Sequence, residues 1–475
     1  MKGRNVSNFI ASTIQMVINQ LCGVITFFLL SKYCSKNDFG RINWLLSILM
    51  IVFALLGSGI DQLLVRKTAA ENGVPSIFKP YLFHVIFTSI LFLFILLTIR
   101  YVSLSTHQDI DLLIILGIGQ ALIFITLPLK QIANGTEQFK LLLFMSVCSN
   151  IIKTIGLFLF LYFKNISIES FTWLYLIASL IELLANIYIG VKHLKLSLNI
   201  SIRWKDYLSL LKDSIPQLGI IICTACIARI DWILLGILSS NSILAEYSFA
   251  YKSFELSTLP LLIIGPLLLP KITKWLTSGK NIELANISTS LFKLAQIEII
   301  FACFISLVLN ILWEPVINYF TNHQYGTTNA NTFLILSISV PFLYLNNILW
   351  TVNFAIGKLK LILVIFTITL IAVFVGNLIL IPIFKSIGSA AAYLIAVIIQ
   401  TIYFAIQTPL KKFGKIIYNT IILLFLELIS GIVSKNVTSN IYLQLLYSST
   451  IFFVFGALTS QISLKFETLK EMKWA

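Results

Sequence analysis

Runs of about twenty apolar residues recur along the whole chain. That is the length an α-helix needs to cross the hydrocarbon core of a bilayer. Fourteen such runs are expected, at about 9–31, 42–60, 81–99, 112–129, 141–163, 171–191, 215–239, 247–270, 291–313, 333–357, 361–381, 389–408, 416–434 and 441–464. In lipid each backbone amide must be satisfied inside its own segment, so runs of this kind fold as helices. The expected fold class is therefore an all-α polytopic membrane protein. No connection is long enough for a soluble domain. Only 11% of the 475 residues are charged, against about 25% in an ordinary soluble domain. The first run follows Lys2 and Arg4 and is too long for a signal-peptide core, so it reads as an uncleaved first span.

The net charge of +15 invites a nucleic-acid reading, and the placement of the cations excludes it. With the N-terminus in the cytoplasm, 23 of the 34 Lys and Arg fall in cytoplasmic segments and 7 in outer loops. By the positive-inside rule both termini are then cytoplasmic. The remaining four, Lys153, Arg229, Lys252 and Lys293, lie within spans or at their edges. Six cysteines sit mostly in apolar runs and form no secreted disulfide framework. Cys223 and Cys226 make a CxxC, but without an exposed helix start beside a sheet they read as small packing residues.

The chain also divides in two. The longest cytoplasmic connection, "KHLKLSLNISIRWKDYLSLLKD" (192–213), follows the sixth span and has the character of an amphipathic linker lying on the membrane surface. "NDFGRIN" (37–43) follows the first span and "LAEYSFA" (244–250) the seventh, each with an acidic residue, an aromatic and a small residue. Asp38 to Arg66 and Glu246 to Lys274 are both 28 positions, each enclosing one span. "ANGTEQFK" (133–140) and "AIGKLK" (355–360) are tight glycine-containing turns before the fifth span of each half. An even number of spans per copy makes the repeat parallel, an arrangement found in secondary transporters. The expected divisions are an N-terminal lobe, 1–191, a basic linker, 192–214, a C-terminal lobe, 215–408, and two additional helices with a tail, 409–475.

"SKNDFGRIN" (35–43), "GIDQLLVRKTA" (59–69), "RIDWILLGILSSNSILAEYSFAYKSFE" (229–255) and "GNLILIPIFKSIGSAAAYLIA" (376–396), taken in order and spacing, resemble bacterial O-antigen and capsule flippases. These belong to the superfamily shared with multidrug and toxic compound extrusion transporters. Ser389 stands where that family often has Gly-Ala. The resemblance covers essentially the whole chain. It implies two six-helix lobes forming a V around a central cavity, plus two extra C-terminal helices. It also implies transport of an undecaprenyl-pyrophosphate-linked oligosaccharide across the inner membrane from the cytoplasmic to the periplasmic leaflet by alternating access. The implied partners are membrane lipids, the lipid-linked glycan and other glycan-assembly proteins, with no nucleic acid.

Such cargo needs a hydrated path with cations for its phosphates. A charge at the centre of a span costs roughly 2.5–3.5 kcal/mol even on lenient scales, so intramembrane cations call for a role. The candidates are Arg229, Lys252 and Lys153, expected to converge on the cavity; each could instead be structural. Arg can fork two hydrogen bonds to phosphate while Lys acts as a point charge. Arg229 and Asp231 lie roughly 200° apart around a helix and cannot face each other; Lys252 and Glu255, three apart, share a face as an ion pair requires. Asp231, Glu255, Glu182, Glu298 and Glu427 are candidate ion-coupling or structural acids. No cofactor or metal site is expected, and protons or sodium are the candidate coupling ions. Tyr247, Tyr251 and Trp232 could stack on sugars or anchor in the interface. Pro266, in a proline cluster at 260–270, is the expected bend of the eighth span. The alternatives are a drug or cation antiporter of the same superfamily, which would favour acids over cations, and an integral-membrane polymerase or ligase, which would carry a large outer loop; here the longest outer segment is near 314–332.

Overall fold

The computed structural model describes residues 2–71, 73–102, 108–164, 166–199, 203–261, 268–269, 272–273, 281–408 and 413–459; its regular structure is helical, with no strand among the described residues. The chain forms two compact units, Met1–Gly236 and Ile237–Ala475. The first contains α1 (Lys2–Tyr33), α2 (Lys36–Gly57), α3 (Ile60–Glu71), α4 (Phe78–Val102), α5 (Gln108–Ile125), α6 (Leu127–Gly135), α7 (Phe139–Tyr162), α8 (Ile168–Lys192) and nearly all of α9 (Trp204–Leu238). The second continues with α10 (Asn241–Ser257) and the helices Asn281–Thr321, Ala330–Ile338, Val340–Ala355, Leu359–Gln407, Phe413–Val437 and Ile441–Leu458.

Twelve helices among the described residues are long and apolar enough to cross a membrane, against the fourteen expected. The difference arises in two places. The helix Leu359–Gln407 has 49 residues, roughly 74 Å at 1.5 Å per residue and more than twice a bilayer core. Lys385 breaks it with φ 54° and ψ −126°, and the two arms cover the expected runs 361–381 and 389–408. The expected run 247–270 extends over residues 262–267 and 270, which lie outside the described residues, as does Pro266.

The break at Lys385 makes a tight helical hairpin. A Cβ on Gly388 would run into the carbonyl of Leu380, so the arms meet backbone to backbone. Ser389 Oγ donates to Asn377 Oδ1 at 2.7 Å across the hairpin. Between helices in lipid, close approach at small residues and interhelical hydrogen bonds replace the hydrophobic effect as the source of association. The motif at 376–396 is thus the packing surface of this turn, and Ser389, the departure from the family pattern, is one of its hydrogen-bonding members.

The internal repeat has local structural counterparts. Ser35 caps α2 by accepting from Asp38 N–H at 3.1 Å, and Ser240 caps α10 by accepting from Ile243 N–H at 3.3 Å. Each is a side-chain cap of an otherwise orphaned amide. Both units break a span before a proline: Thr126 Oγ1 bonds the Ile123 carbonyl ahead of Pro128, and Ser339 Oγ bonds the Leu336 carbonyl ahead of Pro341. Proline has no N–H to lose at the start of a helix, so each span restarts there. Both restarted helices end alike. Glu137 and Gly357 take positive φ, 57° and 81°. The next residue, Gln138 or Lys358, returns its N–H to the carbonyl five residues back, Ala133 at 2.8 Å and Asn353 at 3.0 Å. This is the Schellman pattern.

The segment after α8, expected to be an amphipathic linker on the membrane surface, has one exposed and one buried face. Trp204 and Leu208 are exposed, whereas Tyr207 and Leu210 are buried against the first unit. Since the Leu56 carbonyl can only accept, His84 Nε2 donates to it at 2.7 Å, and the Tyr207 hydroxyl, 3.1 Å from Nδ1, donates to the ring. Burial pushes the Tyr207 phenol above its ordinary range. From Trp204 the helix runs on without interruption into the seventh span, where Trp44 Nε1 of α2 donates to the Ile233 carbonyl at 3.2 Å. The seventh span therefore packs with the first unit.

Candidate functional site

The first unit gathers polar residues from five helices inside the membrane-spanning region. α1 and α7 are joined by Asn150 Nδ2 donating to Asn19 Oδ1 at 3.0 Å and by a 3.3 Å contact between the hydroxyls of Thr26 and Thr154. One turn along α7, Lys153 places its ammonium over the ring of Tyr175 on α8, 4.9 Å from the centroid. The ring is held from its far end, where the Tyr175 hydroxyl donates to Gln120 Oε1 of α5 at 2.5 Å. A cation over a π face is favourable, but a ring face leaves the three N–H donors of an ammonium unmet. Lys153 has no hydrogen-bond acceptor among the described residues.

Glu182, two turns beyond Tyr175, pairs with Lys130 of α6, and both side chains are largely buried. Lys130 was not among the residues that sequence singled out. The expected span ended at 129 and left Lys130 in a cytoplasmic connection; instead the helix restarts at Pro128 and runs to Gly135. A lysine following Thr-x-Pro was the available signal, since proline at such a position starts a helix as readily as it ends one. Lys153 meets α8 two turns from Glu182, through the Tyr175 ring. The cluster Lys130, Lys153 and Glu182 thus carries one surplus positive charge.

Arg229 and Asp231, expected to point apart, differ in burial. Asp231 is fully buried and accepts from Trp232 N–H at 2.8 Å. Arg229 is only half-buried; its guanidinium lies over the Trp232 ring, 4.6 Å from the centroid, and bonds the Ala228 carbonyl at 2.7 Å. In the second unit Lys252 and Glu255 form the ion pair that their i,i+3 spacing allows, at 2.5 Å. Tyr247, Tyr251 and Trp232 are buried rather than set in an interfacial belt.

The remaining acids are buried too. Glu427 accepts from Ser306 of the helix Asn281–Thr321 at 2.5 Å. Glu298, on the same helix as Ser306, has both carboxyl oxygens buried with no hydrogen-bond partner among the described residues. An apolar cavity of about 420 Å³ lies in the second unit, lined by residues including Leu256, Pro260, Leu309, Trp313 and Phe333. Its wall is stiffened by the stacked rings of Trp313 and Phe333, 3.7 Å apart.

The described architecture is similar to that of the lipid II flippase MurJ in an inward closed conformation, with a TM-score of 0.73 and 18% identity over 95% of this chain and 99% of that one. It is similar to an inward-facing multidrug resistance MATE family transporter of the MOP superfamily, with a TM-score of 0.68 and 13% identity over 85% of this chain and 99% of that one. A MOP superfamily transporter from Pyrococcus furiosus gives a TM-score of 0.57 and 14% identity over 84% and 92%. At these identities the likeness shows the fold, that of the MOP-superfamily transporters. No curated protein matches the sequence. The family model described as polysaccharide biosynthesis protein matches residues 6–274, more than half of the chain, and the chain belongs to that family.

Proposed function

We propose that the protein is a flippase that carries an undecaprenyl-pyrophosphate-linked oligosaccharide, an O-antigen or capsule repeat unit, from the cytoplasmic to the periplasmic leaflet of a bacterial inner membrane. The observation that carries this reading is Lys153, an ammonium inside a span with its hydrogen-bond donors unmet by the described residues and one surplus positive charge around it. A dry anion partner would neutralise it permanently; a transported pyrophosphate does so reversibly. Arg229 supplies a forked donor and Lys252 a further point charge. The lobes 1–191 and 215–408 then alternate access, with the linker 192–214 and both termini on the cytoplasmic side. The likeness in fold extends over more of the chain with the lipid flippase than with the extrusion transporter, which favours a lipid cargo. A second reading, a proton- or sodium-coupled cation antiporter, draws on Glu298, whose buried oxygens lack partners among the described residues.

Depletion in a glycan-producing cell tests the reading. Lipid-linked oligosaccharide should accumulate in a form protected from a membrane-impermeant oxidant added outside, in cells where reporters fused at Asn199 and Asn322 read opposite sides of the membrane. Accumulation on the oxidant-accessible face, or no accumulation together with new sensitivity to cationic drugs, would replace the flippase by the antiporter.

A further inference from the structure

The ion pair between Lys130 and Glu182 has no evident reason to be buried. A pair of this kind gains little over apolar side chains of the same size, since the desolvation of both ions offsets their attraction. Packing alone would be served as well by two leucines. A third charge lies along the same helix: the Lys153 ammonium sits over the Tyr175 ring, two turns from Glu182 on α8. Two cations and one anion thus line one face of α8, and one of them is an ammonium lacking an acceptor among the described residues.

We infer that Lys130, Lys153 and Glu182 form a single phosphate-binding site in which Glu182 is a built-in competing anion. The ligand chemistry is a phosphate or pyrophosphate ester. The inference rests on the flippase reading and adds to it a residue, Lys130, and a function for the acid. Two unopposed lysines in a medium of low dielectric would hold a pyrophosphate too firmly to release it. A carboxylate bonded to one of them sets the net charge of the site at +1, so that an arriving phosphate meets Lys153 at once and shares Lys130 with Glu182. The Tyr175 ring, fixed by its bond to Gln120, keeps Lys153 oriented while no anion is present. Affinity is thereby set by charge balance, and release is built into the site.

A charge ladder on the full-length protein in nanodiscs tests this. The variants are Lys130→Gln, net charge 0; wild type and the Lys130→Gln/Glu182→Gln double variant, both +1; and Glu182→Gln, +2. The probes are inorganic pyrophosphate in solution and undecaprenyl pyrophosphate in the disc. Glu182→Gln should bind about tenfold more tightly, Lys130→Gln about tenfold more weakly, and the double variant within about threefold of wild type, the scale of a unit charge at partly screened contact. Following the ladder with both probes identifies the phosphate chemistry itself as the ligand; following it with the lipid probe alone makes the prenyl chain part of the ligand. Weaker or unchanged binding in Glu182→Gln overturns the inference. If in that case Lys153→Ala and Arg229→Ala still weaken binding, the flippase reading stands without it. If neither probe binds any variant, both fall.

Discussion

Arg229→Ala should abolish most surface glycan at matched protein level, a loss of roughly tenfold to a hundredfold. A hydrogen bond to a charged group is worth about 1.5–3 kcal/mol, and each 1.4 kcal/mol is a factor of ten. The residue suits this role by its placement. Its guanidinium is braced on the Trp232 ring and the Ala228 carbonyl. Asp231, two residues on, is fully buried and accepts from the Trp232 amide. Arg229→Lys restores part of the export, because charge remains and the fork is lost. Quantifying surface glycan alongside membrane-inserted protein checks both. Export at the wild-type level by the Ala variant removes Arg229 from the phosphate path, and loss of folded protein in both variants assigns it a structural role instead.

Gly388→Val depletes folded protein, and it does so with no cation touched. A Cβ at this position meets the carbonyl of Leu380 on the opposing arm, and backbone cannot rotate aside as a side chain does. Overpacking costs about 1–3 kcal/mol where side chains can yield, and here the arms themselves must part, breaking the bond from Ser389 to Asn377. The fluorescence-detected melting midpoint of the purified protein should fall by several degrees or the protein should fail to accumulate. Gly388→Ala should be milder than Val but still below wild type. A melting midpoint unchanged in both would mean that the hairpin is not closed at Gly388.

These two positions show what residue patterns disclose and what they conceal. Span positions were legible, because twenty apolar residues in lipid have one solution. Local geometry was legible where only spacing mattered: Lys252 meets Glu255, three residues on. The hairpin motif at 376–396 was visible as a resemblance, but its physical content, small residues admitting two backbones, required coordinates. Lys130 was missed since a proline ends one helix and starts another with the same letters, and only packing decides which. Tyr207 and His84 were also invisible as partners, being 123 residues apart. Burial of Tyr247 and Tyr251 was likewise not readable, since an aromatic in a span has the same sequence signature in the core as at the interface.

The flippase reading requires that this chain move a pyrophosphate-linked saccharide across a bilayer. Proteoliposomes containing the purified protein and a fluorescent undecaprenyl-pyrophosphate saccharide measure this directly, by the fraction of headgroup exposed to an external quencher over time. The protein should equilibrate the label between leaflets, and Arg229→Ala should slow the exchange by about tenfold or more. Label that stays in its original leaflet with wild-type protein, in vesicles where the same preparation exchanges a cationic dye for protons, would contradict it.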